Sequence, residues 1–205
     1  MKTTSVIIII FCLSVHLYSQ EIGISTGKVW TKNYELSNPA GFGVFFSQPI
    51  WKFGLRLEYF SANNERNYHG YLVSGFFGPD YQQIKEQVNS KSKYSTFEIS
   101  FHLRNLFEVL ECNLGIGIGI SVSKFECTRI GENSGREIKL SNDDKQGIFY
   151  CFSFSKENCF GLPVKLEIFF KHTGLFTGYY ATDSDLPFIQ LNDIKRLQLN
   201  LAYIF

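Results

Sequence analysis

Glu98, Ser100 and His102 offer the carboxylate, hydroxyl and imidazole of a nucleophilic triad, spaced two residues apart. On a strand that spacing puts all three on one face, with neighbouring Cα atoms about 7 Å apart. Serine and histidine would then touch only if both side chains leaned together. Beside Arg104 the same groups also make a plain hydrogen-bonding ladder, and the sequence favours that reading. His172 is a second candidate, but the next residue of its parity is Gly174, so no serine follows on its face. His69 has no metal-ligand partner at a useful spacing.

Cysteine and glycine motifs are equally sparing of chemistry. Cys112, Cys127, Cys151 and Cys159 lack C-x2-C spacing, so packed thiols are expected, with oxidation open to an exported chain. Gly115, Gly117 and Gly119 suggest a nucleotide-binding turn, which requires a helix to start at the glycines. Here Leu114, Ile116, Ile118, Ile120 and Val122 keep strict period-2 alternation through Ser123, which is a strand with a glycine face. No catalytic, cofactor-binding or metal-binding residue is assigned.

The elements that must position these groups are strands. In 205 residues there are 20 Lys+Arg against 19 Asp+Glu, a balance that argues against nucleic acid as a partner. Phe occurs 21 times and Met once, which suits strands. Mean hydropathy is near zero and the one long apolar run, Val6 to Val15, is too short to span a bilayer as a helix. With Lys2 before it and Leu17-Tyr18-Ser19 after it, that run reads as a signal peptide over residues 1–19, leaving a single domain, 20–205.

Eight alternating segments follow. Ile22, Ile24 and Thr26 face away from Gly23, Ser25 and Gly27; Phe42, Val44 and Phe46 from Gly41, Gly43 and Ser47; Phe53, Leu55, Leu57 and Tyr59 from Arg56 and Glu58. The fourth sets Phe97, Ile99 and Phe101 against Glu98, Ser100, His102 and Arg104, and the glycine-faced run is the fifth. The sixth sets Tyr150 and Phe152 against Cys151 and Ser153; the seventh, Leu166, Ile168 and Phe170 against Lys165, Glu167 and Lys171; the eighth, Leu197, Leu199, Leu201, Tyr203 and Phe205 against Arg196, Gln198 and Asn200. Long polar connections are expected after odd strands, among them 62–92 and 126–145, and tight turns after even ones, including one at Asn105 to Glu108. Asp80 is expected to cap a short helix carrying Gln83, Ile84 and Val88.

An even strand count with alternating long and short connections predicts an all-β, eight-stranded, antiparallel up-and-down transmembrane barrel with short periplasmic turns and long extracellular loops. The lumenal polar network would comprise Arg56, Glu58, Glu98, Ser100, His102, Arg104, Lys165, Glu167, Lys171, Arg196, Gln198 and Asn200, with Glu111 completing the charge balance. Aromatic residues near strand ends (Trp30, Trp51, Tyr59, Phe107, Phe160, Tyr203 and Phe205) suit interfacial girdles. A soluble lipocalin-like barrel would turn the oily faces inward and crowd more large side chains into the lumen than eight strands admit.

On this strand pattern, the signal ending Ser-Gln, the Ile-Gly-Ile-Ser first strand and the terminal Tyr-x-Phe, the chain resembles the small outer-membrane barrels of the OmpA and OmpX kind, in their Bacteroidota form. That resemblance implies the outer membrane of a Gram-negative bacterium, with no cofactor and no single activity. It implies that Leu201, Tyr203 and Phe205 are the signal read by the barrel-assembly machinery. Partners expected of such a barrel are outer-membrane lipids, lipopolysaccharide and an extracellular or host protein met through the loops. A non-enzymatic scaffold without an open pore is the expected function; an outer-leaflet lipid-modifying enzyme and a periplasmic ligand-binding barrel are the alternatives.

Overall fold

The structure, a computed structural model, describes residues 20–31, 38–74, 82–109, 111–175 and 193–205. Among them eight strands close into one antiparallel barrel: β1 (Glu21–Trp30), β2 (Ala40–Ile50), β3 (Phe53–Ser74), β4 (Gln82–Val109), β5 (Cys112–Gly131), β6 (Glu137–Lys156), β7 (Val164–Leu175) and β8 (Ile194–Ile204). Each strand pairs with its neighbours in sequence, and β1 pairs with β8 from Glu21↔Ile204 to Trp30↔Lys195. The proposed signal peptide and the Asp80 cap lie outside the described residues.

Alternation of side chains decides which face is which. Ile24, Phe42, Phe101, Ile118, Phe152, Ile168 and Leu199 are exposed on the outside, while Arg56, Glu58, Glu98, Lys171 and Arg196 are buried inside. This is the reverse of a lipocalin-like arrangement. The narrow interior also takes several phenyl rings, because glycines on the adjoining strand make room for them. A Cβ at Gly23 would lie 2.4 Å from the Phe45 ring, and one at Gly119 would lie 2.4 Å from the Phe149 ring. Those two pairs are in register, Gly23↔Phe45 and Gly119↔Phe149, so the glycine faces of β1 and β5 are seats for aromatic rings.

Both stretches expected as long loops are strand. Residues 62–74 and 82–95 continue the β3–β4 ladder in unbroken register to Ser74↔Gln82, and β5–β6 continues to Ile130↔Glu137 around a turn at Glu132–Arg136. The two hairpins are joined through β4–β5 pairing up to Val88↔Gly131, so four strands project beyond the ring. Gln83, Ile84 and Val88 are therefore in β4 and not in a helix, and His69 is an exposed residue of β3. Once the wall has paired β3 with β4, each further pair adds ladder hydrogen bonds without a new loop-closure cost, whereas an isolated helix of two turns is marginal.

Turn positions move for a related reason. Asn105, with φ of 54°, is the left-handed residue of an irregularity between Leu103 and Phe107, and β4 runs on to Val109 instead of turning at Asn105. Glu111 then falls in the following turn and is exposed. It pairs with Lys156 at 2.8 Å, a hydrogen bond that holds the Glu111 carboxyl below and the Lys156 ammonium above their ordinary values. Glu111 is thus no part of the lumen.

Candidate functional site

The strongest concentration of chemistry is the lumen. Glu58 on β3 is its hub: it accepts from Lys171 of β7 at 2.8 Å, from Gln198 of β8 at 2.6 Å and from Arg56 at 3.1 Å. Glu98 on β4 binds the same Lys171 at 2.5 Å and Arg196 at 2.6 Å. Arg56 reaches across the barrel to Glu167 at 2.7 Å, and Asn200 donates to that same oxygen at 2.9 Å. Nearer the turn end, Glu21 is held by Arg104 and by Lys165 at 3.2 Å, while Arg104 also meets Glu157 at 3.1 Å. The sequence expectation had Glu111 in this set; Glu21, on the inner parity of β1 and buried, takes that place.

Aromatic rings line these cations. The Arg56 guanidinium lies 3.6 Å from the centre of the Phe45 ring, Arg196 lies 4.4 Å from Phe60, and the Lys171 ammonium lies 4.8 Å from Phe169. Such rings exclude water and leave the quadrupole of their faces to the cation, so the pairs work in a medium of low dielectric. Phe45, Phe60, Phe149 and Phe169 share the wet parity of their strands, a feature that the alternation of polar residues does not announce. Toward the hairpin end the lumen changes character: Val29, Phe60, Ala62, Tyr94, Phe125, Cys127 and Ile194 form one buried apolar layer.

The Glu98, Ser100, His102 trio is only half assembled. Ser100 Oγ and His102 Nε2 share a hydrogen bond at 2.6 Å, so the two side chains do lean together. Glu98 is turned to Lys171 and Arg196, and His102 Nδ1 faces the Cys151 thiol at 3.8 Å. On the lumenal side the neighbouring cavity, lined by Arg56, His102, Arg104, Lys165 and Glu167 among others, has a volume of about 20 Å3, room for a water molecule, while an outer groove of about 440 Å3 lined by Phe101, His102, Gly117 and Cys151 among others lies on the other side of the wall. Cys112, Cys127, Cys151 and Cys159 are free thiols.

Outside, the structure assembles a cluster that residue spacing could not reveal. His172 on β7 hydrogen-bonds through Nδ1 to the Tyr150 hydroxyl of β6 and through Nε2 to Asp193, just before β8. Its partners come from adjoining strands, and register alone brings them together. On the same outer wall at the turn end, Leu201, Tyr203 and Phe205 of β8 are exposed, with the last two rings 5.0 Å apart.

No protein-family model matches the sequence, and no curated protein matches it. Solved structures do. Neisserial surface protein A superposes with a TM-score of 0.54 at 10% identity, over 92% of this chain and 97% of that one. A major outer membrane protein from Thermus thermophilus superposes with a TM-score of 0.62 at 11% identity, over 91% of this chain and 99% of that one. At such identities the likeness is one of fold: this chain has the closed architecture of the small outer-membrane barrels.

Proposed function

We propose that this chain is an outer-membrane β-barrel protein of a Gram-negative bacterium, a structural and interaction scaffold with a sealed lumen that presents its four-stranded projection outside the cell. One observation carries the reading: the surface is apolar where soluble proteins are polar, and the interior is ionic. Strands of about ten residues tilted near 40° cover roughly 25 Å, the height of the apolar band in such barrels. A midplane Arg or Lys facing lipid would cost about 2–4 kcal/mol, so a handful would exhaust a domain stability of about 5–15 kcal/mol. Inside the lumen the same charges pair across the barrel, which supports a plugged core over a pore. Residues 1–19 would direct export, and the short-turn end would face the periplasm.

In this reading Leu201, Tyr203 and Phe205 present the outward aromatic stripe to the barrel-assembly machinery. The β3–β4 and β5–β6 hairpins meet an extracellular or host protein, and the outer wall meets outer-membrane lipids and lipopolysaccharide. Fractionation with the outer membrane and heat-modifiable migration on unboiled gels test the placement; recovery in the soluble periplasm would refute it. Replacing residues 64–91 by a short Gly-Ser turn should preserve insertion and abolish attachment to the partner surface. Replacing Phe205 with Lys should lower the amount of assembled barrel more than that loop exchange does, and unchanged levels would count against the assembly role. The enzymatic alternative has the Tyr150–His172–Asp193 hydrogen bonds in its favour. Lipid A and phospholipid mass spectra from cells with and without the gene decide it, identical spectra arguing against it.

A further inference from the structure

We propose that the outer wall at the hairpin end of β1, β8, β7 and β6 binds the phosphate group of a lipid headgroup, with Lys28 and Lys195 as its cations and Trp30 and His172 flanking Lys195. The inference rests on the membrane placement above and names the lipid chemistry that this wall would select.

The site is built by register. Trp30 pairs with Lys195, Lys195 with His172 and His172 with Tyr150, so four outward side chains on four consecutive strands form one row. At about 4.8 Å per strand the row spans roughly 14 Å. Lys28 pairs with Leu197, two residues along from Lys195, which makes the two lysines diagonal neighbours about 7–8 Å apart at Cα. Their long flexible stems bring both ammonium groups within reach of one phosphate.

Four other lysines, Lys91, Lys124, Lys139 and Lys156, are exposed and each holds a glutamate, which sets them apart from Lys28 and Lys195, neither of which forms an ion pair among the described residues. Lys52 and Lys93 are likewise exposed without an ion pair among the described residues. Two like charges on a diagonal repel unless an anion lies between them. Immediately toward the turn end the wall becomes apolar, with Leu197, Leu199 and Ile24 exposed on the same two strands. The lysines therefore stand at the latitude where an acyl chain gives way to its headgroup, and phosphate is the anion found there. Tyr150 and Asp193 hold both ring nitrogens of His172, which leaves that side chain as a fixed polar wall beside Lys195. The same cross-links engage the Asp193 carboxylate, the one acid of the cluster among the described residues.

The test uses the full-length protein folded in detergent micelles, with native mass spectrometry counting retained lipid. The probes are phosphorylated lipid A and the same lipid with its phosphates removed. Wild-type protein should retain the phosphorylated form about tenfold more, a difference of about 1.4 kcal/mol. K28Q/K195Q should lose that preference, K28R/K195R should keep it, and K91Q/K139Q should leave it unchanged. Displacement by inorganic phosphate at equal concentration would assign the affinity to the phosphate group itself; no displacement would assign it to phosphate carried on acyl chains. Equal retention of the two lipids by wild type overturns the proposal, with no variant needed. So does a preference that survives in K28Q/K195Q. Heat-modifiable migration is read on every sample: a wild-type chain that fails to fold in micelles refutes the membrane placement, while a folded chain without preference refutes only the phosphate site.

Discussion

The lumen has two halves built on the same strand parity from opposite chemistry. Around Glu58, Glu98 and Glu167, five ion pairs shorter than 3.2 Å cross between strands or link neighbours. Around Tyr94 and Phe125 the interior is apolar, and Tyr94 turns its hydroxyl toward Ser123 at 3.3 Å. Both halves fill the barrel, yet they fail in different ways. An apolar layer loses contacts when truncated, in proportion to the hole left behind. An ionic layer loses little when both partners go, and a great deal when one partner goes and a buried charge is stranded. The ionic half therefore contributes specificity of pairing, and the apolar half contributes burial.

Glu58→Leu should give the largest loss, about 3–5 kcal/mol in urea unfolding from detergent, because Lys171, Arg196 and Arg56 each lose an acceptor. Phe125→Ala should cost a similar amount, about 3–5 kcal/mol, through its cavity. A second substitution separates them. Adding Lys171→Leu to Glu58→Leu leaves Arg56 with Glu167 and Arg196 with Glu98, and should restore stability to within about 1–2 kcal/mol of wild type. No truncation beside Phe125 should rescue its loss. A double variant as unstable as Glu58→Leu would erase the distinction between the halves.

Gly119→Val should cost about 1–3 kcal/mol by overpacking, since its Cβ would meet the Phe149 ring at 2.4 Å and the Ile99 carbonyl oxygen at 2.5 Å. The smallest effect lies outside the wall, where Glu86 on β4 clamps the tip of the β5–β6 hairpin. It accepts the Ser134 hydroxyl at 2.6 Å and the backbone N–H groups of Ser134 and Asn133 at 2.9 Å each. These bonds, the hydroxyl foremost, hold its carboxyl below the ordinary value. A depressed folded value means that the clamp is fully present above the unfolded pKa, about 4.3, and is lost as pH falls through the folded one. Amide protection at Asn133 and Ser134, measured against the intrinsic exchange rate at each pH, should fall only in that acid range, and in Glu86→Gln it should be lower at neutral pH already.

Much of the barrel was legible in the residues because two-sided strands write their burial into alternate letters. Arg56 and Glu58 facing away from Leu55, Leu57 and Tyr59 announce a wall with one wet face and one dry one. The projecting hairpins were not legible, since beyond the apolar belt both faces are wet and 62–92 loses the contrast that marks a strand. Of the site, the polar inventory was readable but Glu21 was missed. It stands at the start of β1 on the parity of Gly23, Ser25 and Gly27, so the alternation with Ile22, Ile24 and Thr26 was the signal that could have placed it. The Ser100–His102 bond needed side-chain rotamers that spacing does not contain.

The sequence by itself determined strand number, order and the identity of the inner face, because a period of two follows from backbone geometry and needs no partner. Tertiary structure decided who meets whom. Arg56 with Glu167, Lys171 with Glu58 and the row from Trp30 to Tyr150 depend on how far neighbouring strands are staggered when the ring closes. A slip of two residues would preserve every face and change every one of those partners. Parity is local, but stagger is a property of the closed sheet.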